Sequence, residues 1–329
     1  MLYNIFMKII VTQNKHSQDK TNVETKKKSI KSQPIQDKLK VEDKRNNLKK
    51  VEKNAKESKK NPKENKKDNS KAKKLDKNKT VNICDRQFDM IKYGRLLSRY
   101  FAHRGVHTAF PENSIPAFQT AIDMRLGIEL DVHLTKDGQL VVFHDDNLYR
   151  MTGEKDYVRF KTVEELKKLR LNNTDYTIPT LQEVLKLVAG KTPILLEIKT
   201  EANLKKICKK TIEELKNYSG DVFIQAFNPF VLRYFYKHAP NYLRGQLSSF
   251  FVGQNLSFLK RTVIKKLRLN KFAHIDFISY NIEDLPNKYV NKTDVPILTY
   301  TISTKEQFVK AKIASNNLII DNSDVTTTK

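Results

Sequence analysis

A small set of charged and titratable residues in this chain is spaced as chemistry would need. Glu129 and Asp131 stand two apart. A His103-Arg104-Gly105 run lies 26 residues before Glu129, and a His144-Asp145 pair and a Glu197-Ile198-Lys199 triplet follow. The apolar residues around each read as strands, in which positions two apart share a face. Glu129 and Asp131 then point one way, and so do Glu197 and Lys199. A carboxylate within an apolar run is costly to bury unless a cation or hydrogen bonds compensate it. Two on one strand face and a third on another strand suggest a divalent metal. The histidines and the arginine beside them suggest phosphate chemistry. Three hard oxygen ligands favour Mg2+, Ca2+ or Mn2+ over zinc.

These residues need a frame that brings several strands to one place. Strand-like runs at 100–105, 128–135, 140–145, 194–200, 222–227, 243–248, 277–281, 297–302 and 318–321 interleave with helical runs at 114–124, 163–169, 181–188, 204–218, 230–238, 256–269 and 305–314. Ser114 reads as an N-cap with Pro116 in the first turn, and Thr180 as an N-cap with Glu183 completing a capping box. Repeated β–α order predicts a parallel sheet. One connection differs: only Lys136-Asp137-Gly138 separates two strands, which is hairpin chemistry. A turn centred on Lys136–Asp137 pairs Glu129 with His144 and puts carboxylates and histidine at one end. With 140–145 set aside as an excursion, eight strands remain. The expected fold is therefore a (β/α)8 TIM-type barrel over residues 81–329, with its functional residues at strand C-termini.

The first 80 residues differ in kind. They hold 25 Lys+Arg and 10 Asp+Glu of the 62 and 37 in the whole 329-residue chain, whose formal charge is +25. Too little apolar area is present to offset chain entropy, so a disordered basic segment is expected over 1–80. Weak contact with an anionic membrane suits that segment. Without aromatics between its lysines it offers no base stacking, and no nucleic-acid partner is expected. The two cysteines, Cys84 and Cys208, have no disulfide or metal-ligand spacing, which suits a reducing compartment. Residues 1–11 are apolar but interrupted by Asn4 and Lys8, and are too short to span a bilayer. The expected location is cytoplasmic, with contact at the membrane surface.

The motifs resemble the glycerophosphodiester phosphodiesterase family. The resemblance rests on HRG with PENS and AF (His103–Gly105, Pro111–Ser114, Ala117-Phe118), on GIELDVHLTKDGQLVVFHD (127–145), on PTL (179–181), on LLEIK (195–199) and on QAFNP (225–229), in this order and spacing. It implies a metal-dependent (β/α)8 barrel that hydrolyses glycerophosphodiesters to glycerol 3-phosphate and an alcohol. By the same resemblance Glu129, Asp131 and Glu197 are metal ligands, His103 and His144 the general acid and base, and Arg104 with Lys199 the phosphate contacts. Glu112 and Asn113 match the family's Glu-Asn pair, as further ligands or supports of the ligands. Gln225 and Phe227 are expected to line the substrate pocket. Where the family commonly has Trp-Thr-Val-Asn, this chain has Tyr300-Thr301-Ile302-Ser303, so Tyr300 becomes an aromatic pocket wall. The basic run 256–269 reads first as an outer barrel helix. A second reading makes the protein a lysophospholipase D that holds anionic lipid with this helix, and a third a non-catalytic scaffold at a membrane surface.

Overall fold

The computed structural model describes residues 83, 86–200, 203–253, 256–321 and 324; the basic segment expected over 1–80 lies outside the described residues. In chain order the elements are α1 (Met90–Leu97), β1 (Phe101–Ala102), α2 (Ile115–Asp123), β2 (Gly127–Leu134), β3 (Leu140–Val142), α3 (Tyr149–Thr152), α4 (Val163–Lys167), α5 (Leu181–Val188), β4 (Ile194–Ile198), α6 (Leu204–Leu215), β5 (Val222–Ala226), α7 (Pro229–His238), β6 (Arg244–Ser248), α8 (Phe258–Lys265), α9 (Asn270–Ala273), β7 (Phe277–Asn281), β8 (Ile297–Ile302), α10 (Lys305–Ala314) and β9 (Asn317–Ile320). Among the described residues no helix is long and apolar enough to cross a membrane.

Eight strands pair in parallel and close on themselves. Phe101 of β1 registers with Ile319 of β9 on one side and with Gly127 of β2 on the other. β3 stands outside this ring, antiparallel to β2. The fold is the expected (β/α)8 barrel with one excursion. β2 is long enough to pair with β4 along one edge and, on its other edge, with β1 below and β3 above.

The period of two sorts each strand into an inward and an outward set. At the N-terminal end of the barrel the inward side chains are apolar: Phe101, Leu195, Phe223, Phe277, Leu298 and Ile319 pack as one cluster with Leu96 of α1. Burying each of the phenylalanines stabilises by roughly 1.5–3 kcal/mol. Gly245 makes room for one of them, because a Cβ there would stand 2.0 Å from the Phe277 ring. One step toward the strand C-termini, the inward set turns polar: Glu129, Glu197, Gln225 and Ser279 are all buried. The outward set, including Leu130, Val132, Leu196 and Ile224, packs under the helices with Phe118, Val184 and Phe235.

Caps place several helices where expected. The Ser114 hydroxyl accepts from the Ala117 N–H, and Thr180 with Glu183 forms the anticipated capping box. Three expectations need correction. The first strand is two residues long, not six. Arg104 and Gly105 adopt positive φ (58° and 81°) and turn the chain, and a Cβ at position 105 would meet the Ala117 backbone at 2.8 Å. The hairpin register is displaced by one. Gly138, at φ 78°, permits a three-residue loop over 136–138, with the Thr135 N–H donating to Gln139 O at 3.0 Å. Val132 therefore faces Val142, and His144 is not opposite Glu129. His144 instead leaves the ladder two residues beyond β3. Finally, the run 256–269 is not one helix: α8 ends at Lys265, Leu267 adopts a left-handed φ of 54°, and α9 follows.

The sequence reading did not anticipate α1. Asp89 caps it, and the Leu96 and Arg99 carbonyls accept from Asn317 Nδ2 at 2.7 and 2.8 Å. This helix covers the N-terminal end of the barrel, opposite the polar mouth.

Candidate active site

The polar inward residues open into a cleft of about 560 Å³ at the C-terminal end of the strands. His103, Glu129, His144, Glu197, Lys199 and Gln225 line its polar side, and Phe227, Leu247, Phe251 and Tyr300 contribute to its apolar side. Ligand atoms of Glu129, Asp131 and Glu197 all lie within 4.8 Å of one another.

Each carboxylate is aimed by a specific contact. Glu129 Oε2 accepts from the Arg104 backbone N–H at 3.1 Å, which the positive φ of Arg104 makes reachable, and Oε1 accepts from Gln225 Nε2 at 3.1 Å. Gln225 is itself fixed, since its Oε1 accepts from the Ser279 hydroxyl at 2.8 Å. Asp131 Oδ2 accepts from Asn113 Nδ2 at 3.0 Å. Lys199 Nζ bridges Asp131 Oδ1 (2.9 Å) and Glu197 Oε1 (2.7 Å).

The electrostatics leave the cluster short of positive charge. Burial, then repulsion from Asp131 and Glu197, pushes the Glu129 carboxyl well above its usual range. Burial also raises Glu197, against the pull of Lys199. Asp131 is pushed up by burial too, but Lys199, His144 and Arg104 outweigh this and hold it below the carboxylate range. A buried oxygen cluster of this kind fits a hard divalent cation. Asn113 supplies a further hint: among the described residues its buried Oδ1 has no hydrogen-bond partner.

Two histidines flank the cluster, each with Nδ1 on a carboxylate. His103 Nδ1 is 2.9 Å from Asp321 Oδ1, and His144 Nδ1 is 2.6 Å from Asp145 Oδ1. That tether directs Nε2 of each ring away from its carboxylate. Burial lowers the His103 imidazole below its ordinary value, partly opposed by the Asp321 hydrogen bond. His133 Nε2 lies 3.2 Å from the His144 carbonyl and so supports the turn that carries His144. Arg104 Nη1 donates to Glu112 at 2.8 Å, and Arg150 joins Glu112 to Asp145. Glu112 therefore sits in an arginine network behind the histidine rather than in the carboxylate cluster. Phe227 meets Phe251 and Tyr300 edge-on at 5.8 and 6.4 Å, and the Tyr300 hydroxyl donates to Ser248 O at 2.8 Å. Burial raises the Tyr300 phenol well above its usual value.

Sequence reasoning missed Asp321, His107 and Arg150 as members of this site, and named Asp145 beside His144 without giving it a role. His107 Nε2 shares Asp321 Oδ1 with His103, at 3.1 Å. The available signal for Asp321 was its place just beyond the last strand, at the end where such barrels keep their chemistry.

A buried carboxylate cluster with two carboxylate-tethered histidines at the C-terminal mouth of a closed parallel barrel suits metal-assisted cleavage of a phosphate ester. The sequence model of the Glycerophosphoryl diester phosphodiesterase family matches residues 103–325, and the chain belongs to that family. It is 34% identical over 176 residues to a glycerophosphodiester phosphodiesterase of Bacillus altitudinis, covering 50% of this chain and 72% of that one. It is 41% identical over 157 residues to one of Caldanaerobacter subterraneus, covering 44% and 65%. An Oleispira antarctica phosphodiesterase, solved in complex with the product sn-glycerol-3-phosphate, shares the fold with a TM-score of 0.58 and 22% identity, over 68% of this chain and 92% of that one.

Proposed function

We propose that this protein hydrolyses glycerophosphodiesters to glycerol 3-phosphate and an alcohol, using a divalent cation held by Glu129, Asp131 and Glu197. The observation that carries this reading is the shared cleft of the carboxylates with two carboxylate-tethered histidines. When bound, Mg2+, Ca2+ or Mn2+ supplies Lewis-acid stabilisation of the phosphoryl oxygens. Lys199 and Arg104 add fixed positive charge beside them.

His103 is the general base, because burial keeps its imidazole neutral at pH 7. Its Nε2 takes the proton from the attacking oxygen, either water or the neighbouring glycerol hydroxyl. As the new P–O bond forms, the bond from phosphorus to the alcohol oxygen breaks. His144 gives that oxygen a proton. Attack by water gives glycerol 3-phosphate directly, and attack by the hydroxyl gives a cyclic phosphate that a water then opens to glycerol 3-phosphate. Asp321 and Asp145 keep the two rings oriented, and Gln225 and Asn113 keep the carboxylates aimed.

A second reading is favoured by one observation: the cleft continues into Phe227, Leu247, Phe251, Leu256 and Ile264, an apolar side that suits an acyl chain. That reading makes lysophospholipids substrates of the same site. The test is turnover of glycerophosphocholine, glycerophosphoethanolamine and a lysophospholipid in Mg2+, in Ca2+ and after EDTA treatment. Release of glycerol 3-phosphate that EDTA abolishes is expected for the first reading. Lysophosphatidic acid formed faster than glycerol 3-phosphate supports the second. Full turnover in metal-stripped protein, or none of any diester, rejects both.

A further inference from the structure

The segment that forms one lip of the cleft has a composition and an exposure that catalysis does not explain. Val252, Phe258 and Leu259 are 83%, 76% and 38% exposed. Single exposed apolar residues are ordinary, but these three fall within eight positions, next in sequence to the cleft-lining Phe251 and Lys260. The helix that carries two of them, α8, faces two ways: Lys260 and Ile264 line the cleft, while Phe258 and Leu259 are exposed.

Charge is as one-sided as exposure. Residues 222–275 contain nine Lys and Arg and not one Asp or Glu. Lys260, Arg261, Lys265 and Lys266 fall in or directly after α8.

We propose that this lip docks the cleft onto an anionic lipid surface. Val252, Phe258 and Leu259 would enter the boundary between headgroups and acyl chains, with the α8 cations against the phosphates. Apolar tips beside a cationic helix face are the pattern of interfacial binding. A second copy of this chain is a poorer occupant, because a two-fold contact would set one all-basic segment against another. A nucleic-acid backbone gives three outward apolar side chains nothing to bury into. Docking in this way turns the mouth toward the bilayer, so that a headgroup enters without crossing bulk water. The inference goes beyond the chemistry proposed above, and its readouts are fluorescence and partition, so it fails or stands apart from turnover.

The full chain contains no tryptophan, so Phe258→Trp introduces its sole indole. On vesicles of phosphatidylglycerol and phosphatidylcholine its emission should shift to the blue and become shielded from a soluble quencher. Met124→Trp, at the exposed C-terminal end of α2 ahead of β2, is the control and should show neither change. That control matters because the lysine-rich first 80 residues could hold the protein to vesicles in any orientation. Val252→Asp with Phe258→Asp should lower partition onto these vesicles at least about tenfold, about 1.4 kcal/mol, with thermal unfolding unchanged. The proposal is overturned if Phe258→Trp shows no shift, if Met124→Trp shifts equally, if the double variant partitions as the native chain does, or if the blue shift follows protein concentration without vesicles.

Discussion

His103 Nδ1 and Asp321 Oδ1 stand 2.9 Å apart across the seam where the first and last barrel strands meet. Phe101 and Ile319 are register partners two residues below them, so the period of two brings both functional side chains to the same inward face. A second tie backs the first: the His103 N–H donates to Ile320 O at 2.8 Å. Closing the barrel and orienting the His103 ring are one event.

The histidine pair gives the most direct expectation. His103→Ala and His144→Ala should each lower kcat by roughly 10²–10⁴-fold, the usual contribution of a general acid or base. Circular dichroism and melting should stay near native, since both rings are only part-buried at the mouth. A variant that keeps native kcat removes that residue from the chemistry.

The pH profile tests His103 separately. Burial lowers its imidazole and the Asp321 hydrogen bond raises it, with burial the larger effect. In the proposed role of base, His103 acts when neutral, so activity is full above its pKa and is lost as pH falls through it. The acid limb of kcat/KM should therefore lie below the ordinary histidine value near 6.5. In Asp321→Asn the upward pull is gone, and the limb should move to lower pH while kcat also falls. An acid limb that stays put in Asp321→Asn contradicts the pairing.

Stability has its own test at the other end of the barrel. Arg244 is buried and ion-paired with Asp276, and its guanidinium donates to the Pro240, Tyr242 and His274 carbonyls. Without the guanidinium the three carbonyls lose their donor and Asp276 keeps only the half-exposed Lys92, 2.8 Å away; breaking a buried pair typically costs about 3–5 kcal/mol. Arg244→Met should lose about that much in urea unfolding, with kcat per folded molecule near native. A loss below about 1 kcal/mol would place the pair among the weak surface bridges.

Truncation should separate the basic segment from the barrel. Ile83 is buried against Tyr280, Leu285 and Ile297, its carbonyl accepts from Asn316 Nδ2, and Arg86 donates to the Asn291 and Thr293 carbonyls. A chain beginning at Val81 keeps these contacts and should turn over a soluble diester with native kcat/KM. A chain beginning at Met90 loses them and should melt several degrees lower. Loss of turnover on removing only residues 1–80 would tie that segment to the site.

Strand and helix order were legible in the sequence because period-two runs and caps such as Ser114 and Thr180 are local signals. The carboxylates were legible for the same reason, as charges inside apolar runs. Register was not, because Gly138 permits either a two- or a three-residue loop and only packing decides between them. Helix α1 was overlooked since its apolar face is short and follows a long polar stretch. Asp321 escaped because its partner lies 218 positions away, and nothing in the two local sequences records that pairing.

That separation has a consequence for how the enzyme is made. A ribosome releases the N-terminal residues first, so His103 waits through nearly the whole length of the barrel for its carboxylate. His144 has Asp145 at once. A product cut short before Asp321 would hold His144 already on Asp145, His103 without a carboxylate to orient it, and a ring with an open side. Translation to the last strand thus completes the ring and the His103–Asp321 pair together.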